Sequence, residues 1–283
     1  GTSSLTIVMA QPTQQGSVHL RSKVDRVLAA VDQNRYPLDN KSITDRAASA
    51  MRDDGVCVLP GFITEVALAE MVREVDDLAP LAHRSAPRRN PYLTATNGNN
   101  THAVELHDSL EVLAYDHFHP AGLLRSLYEC DDVLHFVRRC LGLEQLHRYA
   151  DPFGALNVSI MRDGDVLDWH FDMTDFVVSI ALQSSDSGGD FENAANIRGN
   201  DNDDHLVAAV LQGRARDRVR VEPMTPGTLM LFNGRRSMHR VTPIVGAKPR
   251  YVALLAYDTK PGTDSTDALK LSRYGRLPSR RHE

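Results

Sequence analysis

Three side chains of this sequence have the types and spacing to hold a metal ion. His170 and Asp172 stand two residues apart in the run Asp168–Phe176, DWHFDMTDF, and His239 lies in LMLFNGRRSMHRVTP. If the first run is a β-strand, positions i and i+2 point to one face. An imidazole and a carboxylate then lean into one space, with Trp169 and Phe171 on the other side. His239 sits between the strand-like TLMLF and the β-rich VTPI, so it is the candidate to complete the set. Two imidazoles and one carboxylate on one face of a metal leave the other positions open, which suits Fe(II) and the activation of O2. A lone His-x-Asp arises easily by chance, and a nearby cation adds weight. Arg250 follows His239 by eleven positions, at the head of RYVALLAYD. A guanidinium inside a β-cavity is costly unless an anion pairs with it. Its planar fork suits a carboxylate bound through both oxygens.

The elements that must position these groups fall into a helical first half and a strand-rich second half. From about Ile43 to Asp54 alanines recur at helical spacing, and Gly55 is a suitable stop. VCVLPGF reads as a short buried strand closed by Pro60-Gly61. Thr64 can cap a helix over EVALAEMVREVDDLAPL, whose Val66, Leu68, Met71, Val72, Val75 and Leu78 form a broad apolar stripe. The helical pattern returns from Pro120 to Gly142, where Cys130, His135 and Cys140 sit among leucines and read as packing residues. After Tyr149 come ALNVSIMR, VLDWHFDMTDFVVSIALQ, GGDFENA, TLMLF and YVALLAYD, with one helical insertion, DDHLVAAVLQG. Short strands punctuated by Pro, Gly, Asp and Ser clusters indicate a β-sandwich or barrel. The insertion's acidic NDNDDH lacks the Gly and distal Glu of a calcium loop and reads as a capped turn.

Residues 1–18 are Ser/Thr/Gln-rich without a sustained period and are expected to be a mobile leader. Residues 19–260 are expected to form one domain with its β-core at about 148–258, and 261–283 a polar tail or a flap over the site. The net charge of −5 argues against a nucleic-acid partner, which calls for a basic excess or patch. No apolar run approaches the roughly 18 residues of a membrane span, and no segment reads as a signal peptide. Three cysteines without CxxC spacing make a disulfide framework unexpected, so a reducing cytoplasm is the simplest location. Oligomeric state stays open, a homodimer included.

With these residues in view, His-x-Asp…His followed by Arg resembles the Fe(II)/2-oxoglutarate-dependent dioxygenases. More narrowly, RYADPFGALNVSIMRDGDVLDWHFDMTDFVVSIALQ, SGGDFENAANIR and GTLMLFNGRRSMHRVTPI resemble the free-standing amino-acid hydroxylases related to lysine halogenases. The resemblance covers most of Arg148–Asp258. It implies an α+β chain with a mainly β core, a double-stranded β-helix of jelly-roll or cupin type, carrying N-terminal packing helices. It also implies that His170, Asp172 and His239 are the catalytic iron ligands and that Arg250 pairs with the distal carboxylate of 2-oxoglutarate. Asn157 and Thr242 would support the co-substrate by hydrogen bonds. The halogenase relatives carry a small residue at the position of Asp172, leaving room for halide. A carboxylate here displaces halide and makes hydroxylation the default, with O2 consumed and succinate and CO2 released.

The implied substrate is a small amino acid or amino-acid-like metabolite. Arg88 or Arg89 could clamp its carboxylate beside Tyr92 in the polar loop HRSAPRRNPYLTATNGNNTHAVELHD. Trp169, Thr174 and Asp175 adjoin the metal run, and Asp175 could meet an ammonium or simply be a turn carboxylate. Glu192 and Arg198 could reach the pocket or pair with each other. Desaturation or ring closure on the same iron, a nucleic-acid demethylase and a catalytically silent β-barrel binding or sensor protein are the competing readings. The acidic balance counts against the demethylase, and the intact set of four against the silent protein. Replacing Asp172 by Ala is expected to abolish hydroxylation. Full turnover in that variant, read by product analysis, would sink the assignment. Asp172→Gly opens a position for chloride, although substrate placement then decides whether halogenation follows.

Overall fold

The computed structural model describes residues 23–85, 88–89, 106–199 and 203–279, so the expected leader 1–18 lies outside it. Among the described residues five helices lie in the first half, interleaved with three strands of the major sheet: residues 23–30 (α1), Lys41–Asp53 (α2), Glu65–Leu78 (α3), Leu123–Glu129 (α4) and Asp131–Cys140 (α5). Their ends follow local chemistry. The Asn40 side chain accepts from the Ile43 amide at the start of α2, and Gly55 adopts φ +74° just past its end, where a left-handed residue closes the last turn. Thr64 caps α3 by accepting from the Ala67 amide at 3.4 Å. The helical run after Pro120 breaks at Cys130, whose extended backbone ends α4 and starts α5.

Eleven strands build the two main sheets: Val56–Leu59 (β1), His83–Ser85 (β2), Leu110–Leu113 (β3), Leu156–Met161 (β4), Leu167–His170 (β5), Val177–Gln183 (β6), Phe191–Ala194 (β7), Arg220–Glu222 (β8), Leu229–Phe232 (β9), Met238–Val241 (β10) and Arg250–Leu255 (β11). The major sheet has the order β1-β9-β6-β11-β4-β3-β2 and the minor sheet β8-β7-β10-β5. Among the described residues all strand pairings in both are antiparallel. Two facing antiparallel sheets of this kind are the double-stranded β-helix core, and the chain is mixed helix and sheet. Between β7 and β8 lies the helix Asp203–Leu211 (α6), and after β11 the helix Asp267–Tyr274 (α7).

Period-2 alternation sorts side chains into separate apolar layers. Leu156, Val158 and Ile160 of β4, Val178, Ile180 and Leu182 of β6, and Leu229 and Leu231 of β9 pack outward against the N-terminal helices. Met161, Met230, Phe232, Phe191 and Val241 fill the space between the sheets. Trp169, Phe171, Ala194 and Met238 turn to the far side of the minor sheet, under α6. This explains why β4 and β9 read as nearly continuous apolar runs: both faces of the major sheet are covered.

The run Asp168–Phe176 is not one strand. β5 ends at His170 in the minor sheet and β6 begins at Val177 in the major sheet, so residues 171–176 must cross between them. The polar tail takes an ordered form as α7. Thr266 caps it, Gly275 ends it at φ +69°, and Arg276 grips Asp116 through two bonds of 2.7 and 2.8 Å. Ser85 also donates to the Ser272 carbonyl at 3.0 Å. All three cysteines are buried and free. Among the described residues no helix is long and apolar enough to cross a membrane.

The helix-facing layer centres on Phe62, which is fully buried and stacks on Phe136 with ring centroids 5.5 Å apart. Phe62→Ala is expected to destabilise the chain by about 3–5 kcal/mol through lost transfer energy and the cavity left behind. The measurement is a lower denaturant midpoint at unchanged slope, and a shift under about 1 kcal/mol would contradict this packing.

Candidate active site

His170 and His239 face each other directly across β5 and β10. Their chain neighbours Trp169, Phe171 and Met238 point outward into the α6 layer, so the pleat turns both imidazoles inward. The two rings lie 4.2 Å apart, centroid to centroid. Asp172 joins them from the crossing segment, where its amide donates to the Gly234 carbonyl at 3.0 Å. Its Oδ1 is 3.7 Å from His170 Nε2, and its Oδ2 is 3.2 Å from His239 Nε2. One ligand atom from each residue can be chosen so that all lie within 4.8 Å of one another.

The backbone sets the imidazole tautomers. His170 Nδ1 is 2.7 Å from the Asp168 carbonyl, and His239 Nδ1 is 2.9 Å from the Ser237 carbonyl. A carbonyl can only accept, so each Nδ1 carries the proton and each Nε2 turns a lone pair toward the carboxylate. Lone pairs facing a carboxylate repel, so a cation must lie between them: a proton taken up on Nε2 where no metal is bound, or a metal ion. The donor set therefore fits a divalent metal with bonds of about 2.1 Å, and the Nδ1–H bonds are the usual outer support of metal-bound histidine. Burial acts to raise the Asp172 carboxyl pKa. His239, then His170 and Arg273, outweigh it and hold the group well below the usual carboxylate range, ionised as a ligand must be. Phe191 and Phe232 wall His239 at centroid distances of 5.5 and 4.8 Å.

Arg250 enters the same inter-sheet space from the start of β11 and is buried to 7% exposure. Burial lowers its pKa to about 10 against the opposing charge of Asp190, and no ion pair to it forms among the described residues. An incoming carboxylate would relieve that cost. Thr242 holds this end together: its hydroxyl accepts from the Asp190 amide at 2.9 Å, and its own amide donates to the Asp190 carbonyl at 3.0 Å. Asn157 is buried on β4 opposite Leu254, with its Nδ2 on the Gly154 carbonyl and its Oδ1 accepting from Arg273, both at 3.4 Å.

The other candidates are scattered. Trp169 is packed beneath α6 with the Arg240 guanidinium 4.9 Å above its ring, which corrects its assignment to substrate: alternation along β5 puts it on the face away from the imidazoles. Glu192 pairs with Arg240 at 2.6 Å instead of Arg198, whose guanidinium lies 5.0 Å over the Phe171 ring. Asp175 is largely exposed and paired with Arg235 at 2.6 Å, so a partner already meets its charge. Thr174 is half-buried in the crossing segment. Arg88 and Arg89 form a short strand paired with Leu106–His107, while their side chains and Tyr92 lie outside the described residues.

Sequence reading passed over Gly234 and placed Arg273, whose charge acts on Asp172, only in a tail or flap. Thr266 and Gly275, a cap and a stop around α7, were the available signal for a helix that delivers Arg273. Gly234 has a conformational range open to any residue, but a Cβ there would lie 2.8 Å from Asp172 Oδ2 and 2.9 Å from Val177 Cγ2. Gly234→Ala should push the carboxylate off position and weaken divalent-metal binding by about tenfold or more. Titration of the apoprotein with Co(II) reads this, and unchanged affinity would contradict the placement of Asp172.

Solved structures share this fold at low sequence identity. An oxidoreductase of the 2OG-Fe(II) oxygenase family from Burkholderia pseudomallei has 15% identity and TM-score 0.50, covering 78% of this chain and 92% of that one. A prolyl hydroxylase from Trichoplax adhaerens, in complex with a hypoxia inducible factor peptide fragment, has 17% identity and TM-score 0.53, with 77% and 90% covered. The non-haem α-ketoglutarate-dependent carbocyclase SnoK from nogalamycin biosynthesis has 13% identity and TM-score 0.53, with 83% and 93% covered. No curated protein sequence matches the chain. The family model for halogenase D matches residues 38–270. With that span matched and the His170–Asp172–His239 set assembled inside the β-core, this chain belongs to the halogenase D family of Fe(II)/2-oxoglutarate-dependent oxygenases.

Proposed function

We propose that the chain hydroxylates an unactivated C–H bond of a small free amino acid or amino-acid-like metabolite, consuming 2-oxoglutarate and O2 and releasing succinate and CO2. The observation that carries this reading is Asp172, whose two oxygens lie 3.7 and 3.2 Å from the paired imidazole nitrogens. A carboxylate there fills the ligand position that a halogenase leaves for halide, so hydroxyl is the group available for transfer.

In this reading His170, Asp172 and His239 hold Fe(II), and the iron with 2-oxoglutarate and O2 supplies the oxidising power. The protein's part is placement and exclusion of water. Arg250 binds the distal carboxylate of the co-substrate, its charge left largely uncompensated by its neighbours. Thr242 ties down the Asp190 segment at this end through two hydrogen bonds to its backbone. Phe191 and Phe232 keep the metal face apolar and strengthen every charge interaction within it.

Anaerobic titration of the Fe(II)-loaded protein with 2-oxoglutarate should raise a visible metal-to-ligand charge-transfer band, absent in His239→Ala. Amino acids can then be screened by succinate release. A product heavier by one oxygen atom distinguishes hydroxylation from desaturation or ring closure. A folded, iron-supplied protein that shows no band would overturn the reading in favour of a catalytically silent binding protein.

A further inference from the structure

The turn between β9 and β10, residues 233–237, reaches two of the three metal ligands. Its Gly234 carbonyl accepts from the Asp172 amide at 3.0 Å, and its Ser237 carbonyl accepts from His239 Nδ1 at 2.9 Å. Arg235 of the same turn pairs with Asp175 at 2.6 Å and donates to the Met173 carbonyl. The crossing segment is thus held at three points around its ligand. Any shift of this turn moves a carboxylate and an imidazole together.

Asn233 fixes the turn. Its amide donates to the Gly55 carbonyl at 2.9 Å, and its carbonyl accepts from the Arg236 and Ser237 amides at 3.1 and 2.9 Å. Its Nδ2 donates to the Met51 carbonyl at 3.3 Å, in the last turn of α2, and to Asn196 Oδ1 at 3.0 Å. The last carbonyls of a helix lack partners within it, so the first of these bonds also closes α2. Asn196 is strained to receive the second. Among the described residues it is the one non-glycine residue with positive φ, at +53°, a region that asparagine tolerates better than most. There its amide donates to Ser237 Oγ at 3.1 Å, and the Arg198 amide continues the seam to the Arg236 carbonyl at 3.0 Å. Gly55 leaves the room: a Cβ on it would sit 2.5 Å from Asn196 Nδ2. Such strain persists only where the surroundings over-determine it, and it gathers at functional sites.

We infer that Asn233, clamped by Asn196, is a positioning residue of the metal centre and sets where the Asp172 carboxylate and the His239 imidazole stand. It bonds to neither ligand itself and acts through the Gly234 and Ser237 carbonyls. Through it the end of α2 and the segment after β7 help to decide the metal's geometry. The inference goes beyond the proposed reaction: it rests on the metal set alone and holds whichever oxidation product the site forms.

The test is titration of the metal-free full chain with Co(II), read by affinity and by the visible Co(II) absorption. Asn233→Ala removes the two side-chain bonds and should weaken Co(II) by about tenfold, the usual scale for groups that orient metal ligands. It should also change the visible spectrum, since a displaced ligand alters the field at the metal. Asn196→Gly accepts the same backbone conformation but loses the acceptor, and should act in the same direction. Asn196→Asp keeps the acceptor and tolerates the conformation, so it should retain the wild-type spectrum. The double variant Asn233→Ala with Asn196→Gly should lose less than the two single losses combined, because one bond is common to both. Denaturant midpoints of the metal-free proteins separate this from a merely structural role. A lowered midpoint with wild-type Co(II) affinity and spectrum in both single variants overturns the inference and leaves the metal set standing. If Asn233→Ala does not fold, Asn196→Gly carries the same expectation. A folded wild type that takes up no Co(II) overturns the metal set and this inference with it.

Discussion

The site depends on one pairing, His170 opposite His239 across two antiparallel strands of the minor sheet. Direct cross-strand neighbours share a face and stand a few ångströms apart, so strand register alone brings two nitrogen ligands together. The same register sends Trp169, Phe171 and Met238 outward, where α6 buries them. Packing beneath α6 and ligand placement within the core are thus two results of one alternation. A slip of one residue in β5 or β10 would exchange them.

Around that pairing the protein spends its stability on unbalanced charge. Two imidazoles with lone pairs turned inward, an ionised Asp172 and a buried Arg250 form a poor apolar core taken without ligands. What tolerates the strain is the surrounding packing: helices on one face of the major sheet, aromatic rings between the sheets, and a separate apolar layer under α6. A metal and an anionic co-substrate would each remove a penalty that the fold has already accepted. Folding in this architecture prepares the site, and binding completes its charge balance.

The crossing segment 171–176 shows how sequence proximity and structural role can part. Asp172 follows His170 by two positions but does not share its strand, because the chain must leave the minor sheet to begin β6 in the major one. The carboxylate reaches the imidazoles through a turn braced by the Gly234 carbonyl, and that brace comes from residues sixty-two positions later. The expected neighbours were right, although the expected reason for their meeting was only partly so.

Much of the architecture was legible in the chain. Thr64 and Gly55 mark helix ends through bonds made within a few residues, and the period-2 runs of the second half mark strands, because both signals are local. The metal set was legible for a similar reason: its residue types are rare enough in combination to stand out, and the pleat fixes their direction. Trp169 and Glu192 were misjudged because closeness in sequence says nothing about which face a side chain takes or which distant cation claims it. Arg273 was read only as part of a polar tail or flap, since it looks ordinary alone. Only the docking of α7 against β2 and the start of β4 brings Arg273 onto Asn157, and that contact between segments more than a hundred residues apart is decided by tertiary packing.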